Sequence, residues 1–156
     1  MKAAVFSDSH GQTVLMEEAV RRTRPDVIIH LGDHDRDAAA LRQTFPEIPM
    51  YSVCGNCDLM PLSPARETVQ LGPVKAFLTH GHLYGVKYGS VDSLVYAALE
   101  QDAKIALFGH THVPYNEQIG GVHVINPGTA SKGRRPSWAL LTVFDNGGIY
   151  CEIKDL

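Results

Sequence analysis

The chain has 156 residues, 44% of them hydrophobic and 20% charged, with a formal net charge of −3. That length suits one domain, expected to span residues 1–156, and the unbiased composition excludes a fibrous or disordered protein. An acidic balance excludes an overall basic field for nucleic acid or an anionic membrane, so any anionic substrate must be attracted locally.

Lys2–Phe6 reads as a short buried strand. The apolar run Ala3-Ala4-Val5-Phe6 is broken by Ser7-Asp8-Ser9-His10, too soon for a signal-peptide core or a membrane span, and a cytoplasmic protein is expected. Thr13–Arg24 then places Val14, Leu15, Ala19 and Val20 at helical spacing before Pro25. The pattern returns as a strand over Val27–Leu31, the loop Gly32–Arg36 and a helix from about Asp37 to Phe45, stopped by Pro46. A third strand, Met50–Cys54, runs into Gly55-Asn56-Cys57-Asp58. Glu67–Leu71 and Val74–Thr79 flank Gly72-Pro73 as antiparallel strands around a turn. A helix over Val91–Gln101 precedes a buried strand at Ile105–Phe108. Hairpins follow: Tyr115–Ile119 with Val122–Ile125 across Gly120-Gly121, and Trp138–Phe144 with Ile149–Ile153. Strands alternating with helices, then paired in hairpins, give an α/β domain with mixed sheets flanked by helices, and about ten strands suit two stacked sheets.

The three cysteines are sparse and odd in number. Cys54 and Cys57 have CxxC spacing, but with no second CxxC they read as thiols flanking a turn.

Chemistry gathers where apolar strands stop. Five such places carry polar, metal-capable residues: Asp8-Ser9-His10, Gly32-Asp33, Gly55-Asn56, His80-Gly81-His82 and Gly109-His110-Thr111-His112. Loops beyond the carboxyl ends of strands line one crevice in an open α/β sheet, so segments far apart in sequence can converge. On extended backbone, residues two apart point to one side, which would let Asp8 and His10 grip one ion, as would His110 and His112. Gly32, Gly55 and Gly109 would leave room for a ligand beside the backbone. Taken singly, each motif has an ordinary reading. Asp8 and His10 read better as helix caps, Gly-Asp and Gly-Asn as turns, and His80 with His82 as a structural pair. The combination is what is improbable. Asp8, Asp33, Asn56, His80, His10, His110 and His112 offer two carboxylates, an amide oxygen and four imidazoles, with no thiolate. Such a set suits manganese, iron, zinc or nickel better than calcium, and seven ligands suit two ions sharing one carboxylate.

Asp8-x-His10, Gly32-Asp33, Gly55-Asn56, His80 and Gly109-His110-x-His112 together resemble the calcineurin-like metallophosphoesterase superfamily. The short length, Gly55-Asn56-Cys57-Asp58, His80-Gly81-His82 and Asn126-Pro127-Gly128 resemble its small prokaryotic phosphodiesterase branch. The resemblance implies a four-layer α/β/β/α sandwich holding two divalent ions, manganese first, with zinc, iron or nickel as alternatives. It implies that Asp8, His10 and His112 hold one ion, that Asn56, His80 and His110 hold the other, and that Asp33 bridges them. Hydrolysis of phosphodiesters, and of monoesters, by a metal-bound hydroxide would follow.

Many members carry histidine after Gly-Asn, where this chain has Cys57, as the small branch commonly does. Asp33 and Asn56 are thus candidate catalytic residues at the metals, with Cys57 and His82 candidates for the leaving-group proton. His34 and His82 read as groups supporting the ligands, while His30 and His123 read as packing residues. Lys132, Arg134 and Arg135 either contact substrate phosphate or solvate their loop. The expected partner is a small phosphoester, without stable nucleic-acid or membrane binding, and exposed hairpin edges would suit a homodimer. The competing reading is a protein-binding scaffold like the retromer subunit that shares the fold, but all seven ligands are retained here. A nuclease would call for an extra domain or a basic stripe, and the sequence has neither.

Overall fold

The computed structural model describes residues 1–133 and 135–156. Strand β1 (Lys2–Phe6) leads to α1 (Val14–Thr23), β2 (Val27–His30), α2 (Asp35–Thr44) and β3 (Met50–Ser52). Then come β4 (Arg66–Leu71), β5 (Val74–Thr79), α3 (Asp92–Glu100), β6 (Ile105–Leu107), β7 (Tyr115–Ile119), β8 (Val122–Asn126), β9 (Ser137–Val143) and β10 (Ile149–Asp155). The strands form two five-stranded mixed sheets, ordered β10-β9-β1-β2-β3 and β4-β5-β6-β8-β7. In the first, β1, β2 and β3 run parallel; in the second, β5, β6 and β8 do. The hairpin strands β10, β9, β4 and β7 run antiparallel to their neighbours and complete the edges.

Alternation along each strand sets the layers, because successive side chains leave opposite faces. Val5, Ile29, Leu78, Leu107, Ile125 and Leu141 pack between the sheets. Phe6, Ile28 and Trp138 point outward against Met16 and Val20 of α1 and Leu41 of α2, with Phe6 and Trp138 stacked at 5.5 Å. Phe77, Ala106 and Val124 face the opposite way, onto Leu94, Val95 and Ala98 of α3. Helices thus cover both outer faces, giving the expected α/β/β/α sandwich. No helix of the described residues is long and apolar enough to cross a membrane.

Two details depart from the sequence reading. Helix α2 begins two residues before the expected Asp37, because a carboxylate distant in sequence caps it. Asp58 Oδ1 accepts hydrogen bonds from the amides of His34 (3.0 Å) and Asp35 (2.8 Å), satisfying donors that have no intrahelical partner. After β5 the chain also makes two short 3₁₀ turns, His82–Tyr84 and Val86–Tyr88, each bounded by left-handed glycines.

Leu107 is fully buried in the inter-sheet core. Leu107→Ala should cost about 2–5 kcal/mol in urea unfolding, followed through the fluorescence of the chain's one tryptophan, Trp138.

Candidate metal centre

The loops that leave β1, β2, β3, β5 and β6 meet at one end of the two sheets, and they touch through their backbones. Asp8 N–H donates to the Gly32 carbonyl, Gly109 N–H to His80, and Leu31 N–H to Phe6, at 2.9–3.0 Å. The glycines allow this closeness. A Cβ on Gly32 would stand 2.6 Å from the Gly55 nitrogen; one on Gly55 would collide with Oδ1 of Asp33, and one on Gly109 with the Ser7 hydroxyl and Asp8 Oδ2. The space they leave is filled by the neighbouring chemical loops, rather than kept for a ligand as the sequence suggested.

Backbone conformation differs from the sequence reading in the same region. Asp8, His10, Asp33, His110 and His112 all have positive φ, between 44° and 68°, so left-handed backbone, not an extended strand, aims these side chains. Asp, Asn and His tolerate that region better than most residues, and strain of this kind collects at functional sites. Nor do Asp8 and His10 cap α1, whose N-cap is Thr13 without a side-chain bond.

Asp8, His10, Asp33 and His112 each offer a ligand atom within 4.8 Å of the others. His112 Nε2 lies 3.0 Å from Asp8 Oδ1, and His10 Nε2 lies 3.9 Å from Asp33 Oδ2. On the other side, His80 Nε2 approaches Asp33 Oδ1 at 3.4 Å and Asp8 Oδ1 at 3.8 Å. His110 packs edge-on against His80, ring centres 5.0 Å apart, and His82 sits 5.5 Å from His80. Asn56 is in the turn whose next residue, Cys57, donates its amide to Asp33 Oδ1 at 3.0 Å. The Asn56 side chain is exposed, with Nδ2 3.5 Å from Cys57 Sγ.

Proton bookkeeping tests whether this set fits a cation. His80 Nδ1 sits 2.7 Å from the Leu31 carbonyl, which can only accept, so Nδ1 carries the hydrogen. In neutral His80, Nε2 then presents a lone pair to two carboxylates. Among the described residues His80 Nε2 is buried without a hydrogen-bond partner, and Asp8 Oδ1, also buried, has only the unaligned approach of His112 Nε2 at 3.0 Å, an arrangement that is costly unless a positive charge is shared among them. Burial by itself would raise the Asp8 and Asp33 carboxyls, but His112 and Ser7 at Asp8, and His80 and the Cys57 amide at Asp33, hold both below the usual carboxylate range. Burial, with His80 and Lys87 nearby, lowers His110 to about 4, whereas at His80 burial is outweighed by Asp33 and Asp8, which raise it, and the hydrogen bond to Asp8 raises His112. Metal ligation needs the neutral imidazole, so these two would release protons as an ion enters. The donors fit a divalent ion.

Around these groups lies a frame of residues that carry no ligand motif. Ser7 Oγ donates to Asp8 Oδ2 at 2.6 Å, and the His110 amide reaches the same oxygen at 3.0 Å. His30, read as a packing residue, is instead a fully buried relay. Its Nδ1 accepts from Gly32 N–H (3.3 Å), so Nε2 donates to Ser9 Oγ (3.0 Å), which donates to Asp37 Oδ2 (2.7 Å). Asn126 donates to the Gly109 carbonyl at 2.8 Å, and Thr129 Oγ1 donates to the Asp8 carbonyl at 2.8 Å. Asn126 and Thr129, at the two ends of the segment 126–129, thereby brace two ligand loops at once.

The other marked residues scatter. Cys54 is buried and Cys57 exposed, both free; burial and the adjacent Asp33 push the Cys57 thiol up to about 11. His82 is half-buried, with Nδ1 unpartnered, and burial followed by His80 lowers its pKa. His34 has its ring centre 5.7 Å from that of His10. His123 pairs with Asn116 at 2.7 Å, far from this end of the sheets in register. Lys132 is exposed, Arg135 lines an open cleft of about 650 Å³ with His112 and Thr129, and Arg134 lies outside the described residues.

Gly109→Ala replaces no candidate ligand, yet it should push Asp8 off its position. Calorimetric titration with Mn2+ should show a metal affinity at least about tenfold weaker, the scale on which groups supporting ligands act.

Residues 1–146 match the model of the calcineurin-like phosphoesterase superfamily domain. The chain is 32% identical over 149 residues to the probable metallophosphoesterase YsnB of Bacillus subtilis, covering 92% of this chain and 85% of that protein. It is 35% identical over 163 residues to the phosphodiesterase YfcE of Escherichia coli K12, covering 88% and 84%. Among solved structures, Vps29 of Entamoeba histolytica superposes with a TM-score of 0.79 over 100% of this chain and 99% of that one, at 23% identity, a likeness of fold alone. With its fold, its candidate site and its full-length relatives in agreement, the chain belongs to the calcineurin-like phosphoesterase superfamily, beside the small prokaryotic metallophosphoesterases.

Proposed function

We propose that the chain hydrolyses phosphodiesters, and phosphomonoesters in addition, at a centre of two divalent ions. Asp8, His10 and His112 hold one ion, Asn56, His80 and His110 hold the second, and Asp33 bridges them. The observation that carries this reading is the position of Asp33. Its Oδ2 lies 3.9 Å from His10 Nε2 and its Oδ1 lies 3.4 Å from His80 Nε2, so one carboxylate faces both histidine groups.

When bound, the two ions supply hydroxide at neutral pH and neutralise charge developing on the phosphoryl oxygens. The chain's own part is orientation and charge balance. Two carboxylates against two dications leave a net positive site, which attracts a phosphoester although the whole chain carries −3. Oxygen and imidazole donors without thiolate favour manganese, with zinc, iron and nickel as alternatives. The relatives above 30% identity that cover most of the chain carry the names metallophosphoesterase and phosphodiesterase, which speaks for the enzyme over the retromer-like alternative.

Neither Cys57 nor His82 is a ready proton donor at neutral pH: the thiol is held near 11 and is a weak acid, while burial lowers His82 and so favours its unprotonated form. Negative charge therefore builds on the departing oxygen, and rate should depend steeply on leaving-group pKa.

Metal-free protein should be inactive towards a model aryl diester and regain activity with Mn2+; full activity in protein shown by elemental analysis to lack metal would falsify the proposal. Asp33→Ala should lose both ions in a metal titration, whereas Asn56→Ala should weaken only one. Asp33→Ala protein that keeps two at wild-type affinity would remove Asp33 as the bridge. A series of substituted phenyl diesters should give a steep slope in wild type that Cys57→His flattens below the pKa of the new imidazole. A shallow wild-type slope that steepens in His82→Ala would instead give the proton to His82.

A further inference from the structure

Beside the metal centre is an open cavity of about 310 Å³ whose walls include His34, Arg36, Cys57, Leu59, Met60 and Leu62. It adjoins the candidate ligands at two points. The Cys57 amide binds Asp33, and the His34 ring lies against His10. Leu59, Met60 and Leu62 are 94%, 83% and 71% exposed. Single exposed apolar residues need no explanation; three within four positions, edging one concavity, are a different case.

Their exposure does not come from a loose loop. Asp58 ties this segment to α2 and to Gly55 through three amides at 2.8–3.0 Å. Asp35, in the first turn of α2, accepts the Leu62 and Ser63 amides at 2.6 and 2.7 Å and the Ser63 hydroxyl at 2.6 Å. Six hydrogen bonds to two carboxylates thus hold the loop's ends while its side chains project. A pre-organised apolar wall loses little conformational freedom when it is covered.

We infer that this cavity is the subsite for an aromatic ester group of the phosphoester whose phosphoryl group sits at the metal centre. The inference rests on the function proposed above and adds the class of substrate to it. Through Cys57 and His34 the cavity adjoins the candidate ligands, which places it within reach of a group carried on that side of the phosphorus. The apolar side chains suit a hydrocarbon surface, and the Arg36 guanidinium in the same wall suits the face of an aromatic ring better than a saturated chain. The volume is at the lower end for small-molecule sites, enough for one ring system.

The test is calorimetric titration of metal-loaded protein with methylphosphonate and phenylphosphonate, at a pH where both are dianions. Phenylphosphonate should bind on the order of tenfold more tightly in wild type. That ratio should fall towards one in the triple variant Leu59→Ser, Met60→Ser, Leu62→Ser, fall partway in Leu59→Ser alone, and persist in the apolar double variant Leu59→Met, Leu62→Met. Equal binding of the two phosphonates to wild type overturns the subsite and leaves the metal-centre proposal standing. A preference undiminished in the triple variant overturns it too, as does a wild-type dimer that the triple variant dissociates without changing the ratio, which would make the loop an interface between copies. Failure of metal-loaded protein to bind either phosphonate removes the function on which the subsite rests, and the subsite with it.

Discussion

Two buried carboxylates set the terms for this fold. Asp8 is fully buried and Asp33 nearly so, and among the described residues the partners close to them are imidazoles, amides and a hydroxyl, not lysine or arginine. Several kcal/mol is the usual order of cost for burying such an ion without compensation. Hydrogen bonds from Ser7, His110 N–H and Cys57 N–H offset part of it. The remainder is a demand for positive charge at one point, which a divalent cation meets. Asp8 Oδ1, approached only by imidazole nitrogens, and His80 Nε2, without a hydrogen-bond partner among the described residues, mark where that demand is concentrated.

The scaffold has to hold strained backbone in place around that point. Left-handed φ at five of the seven candidate ligands costs on the order of 1–2 kcal/mol per residue relative to ordinary conformations. The apolar layers on both sides of each sheet offset it, and the polar frame directs it. Thr129 and Asn126 reach back from the end of β8 to the loops after β1 and β6, so both sheets share the same bonds. Anything that loosens this frame should reach the metals without touching a ligand.

How much of this could be read from sequence depends on the range of the interaction. Strands and helices followed from apolar spacing, and the candidate ligands from their recurrence where strands end. The capping role of Asp58 and the bracing roles of Asp35, Asp37 and His30 do not stand out in sequence, because each rests on a partner 21 to 28 residues away with no local pattern. The start of α2 illustrates this: no residue just before Asp35 signals a cap, since the cap arrives from the Asn56 turn. Close approach at Gly32, Gly55 and Gly109 is legible in sequence, but what approaches is another loop. Backbone handedness at Asp8 and His10 was equally invisible, since Asp-x-His reads the same on extended and left-handed chain.

The central claim is that Asp33 lies between two metal ions. Anomalous diffraction at the manganese edge, from crystals grown with Mn2+, addresses it most directly. The account requires two anomalous peaks about 3.5–4 Å apart, one beside Asp8, His10 and His112, the other beside Asn56, His80 and His110, with the Asp33 carboxylate reaching both. A single peak at full occupancy, or two peaks of which only one touches Asp33, would contradict it.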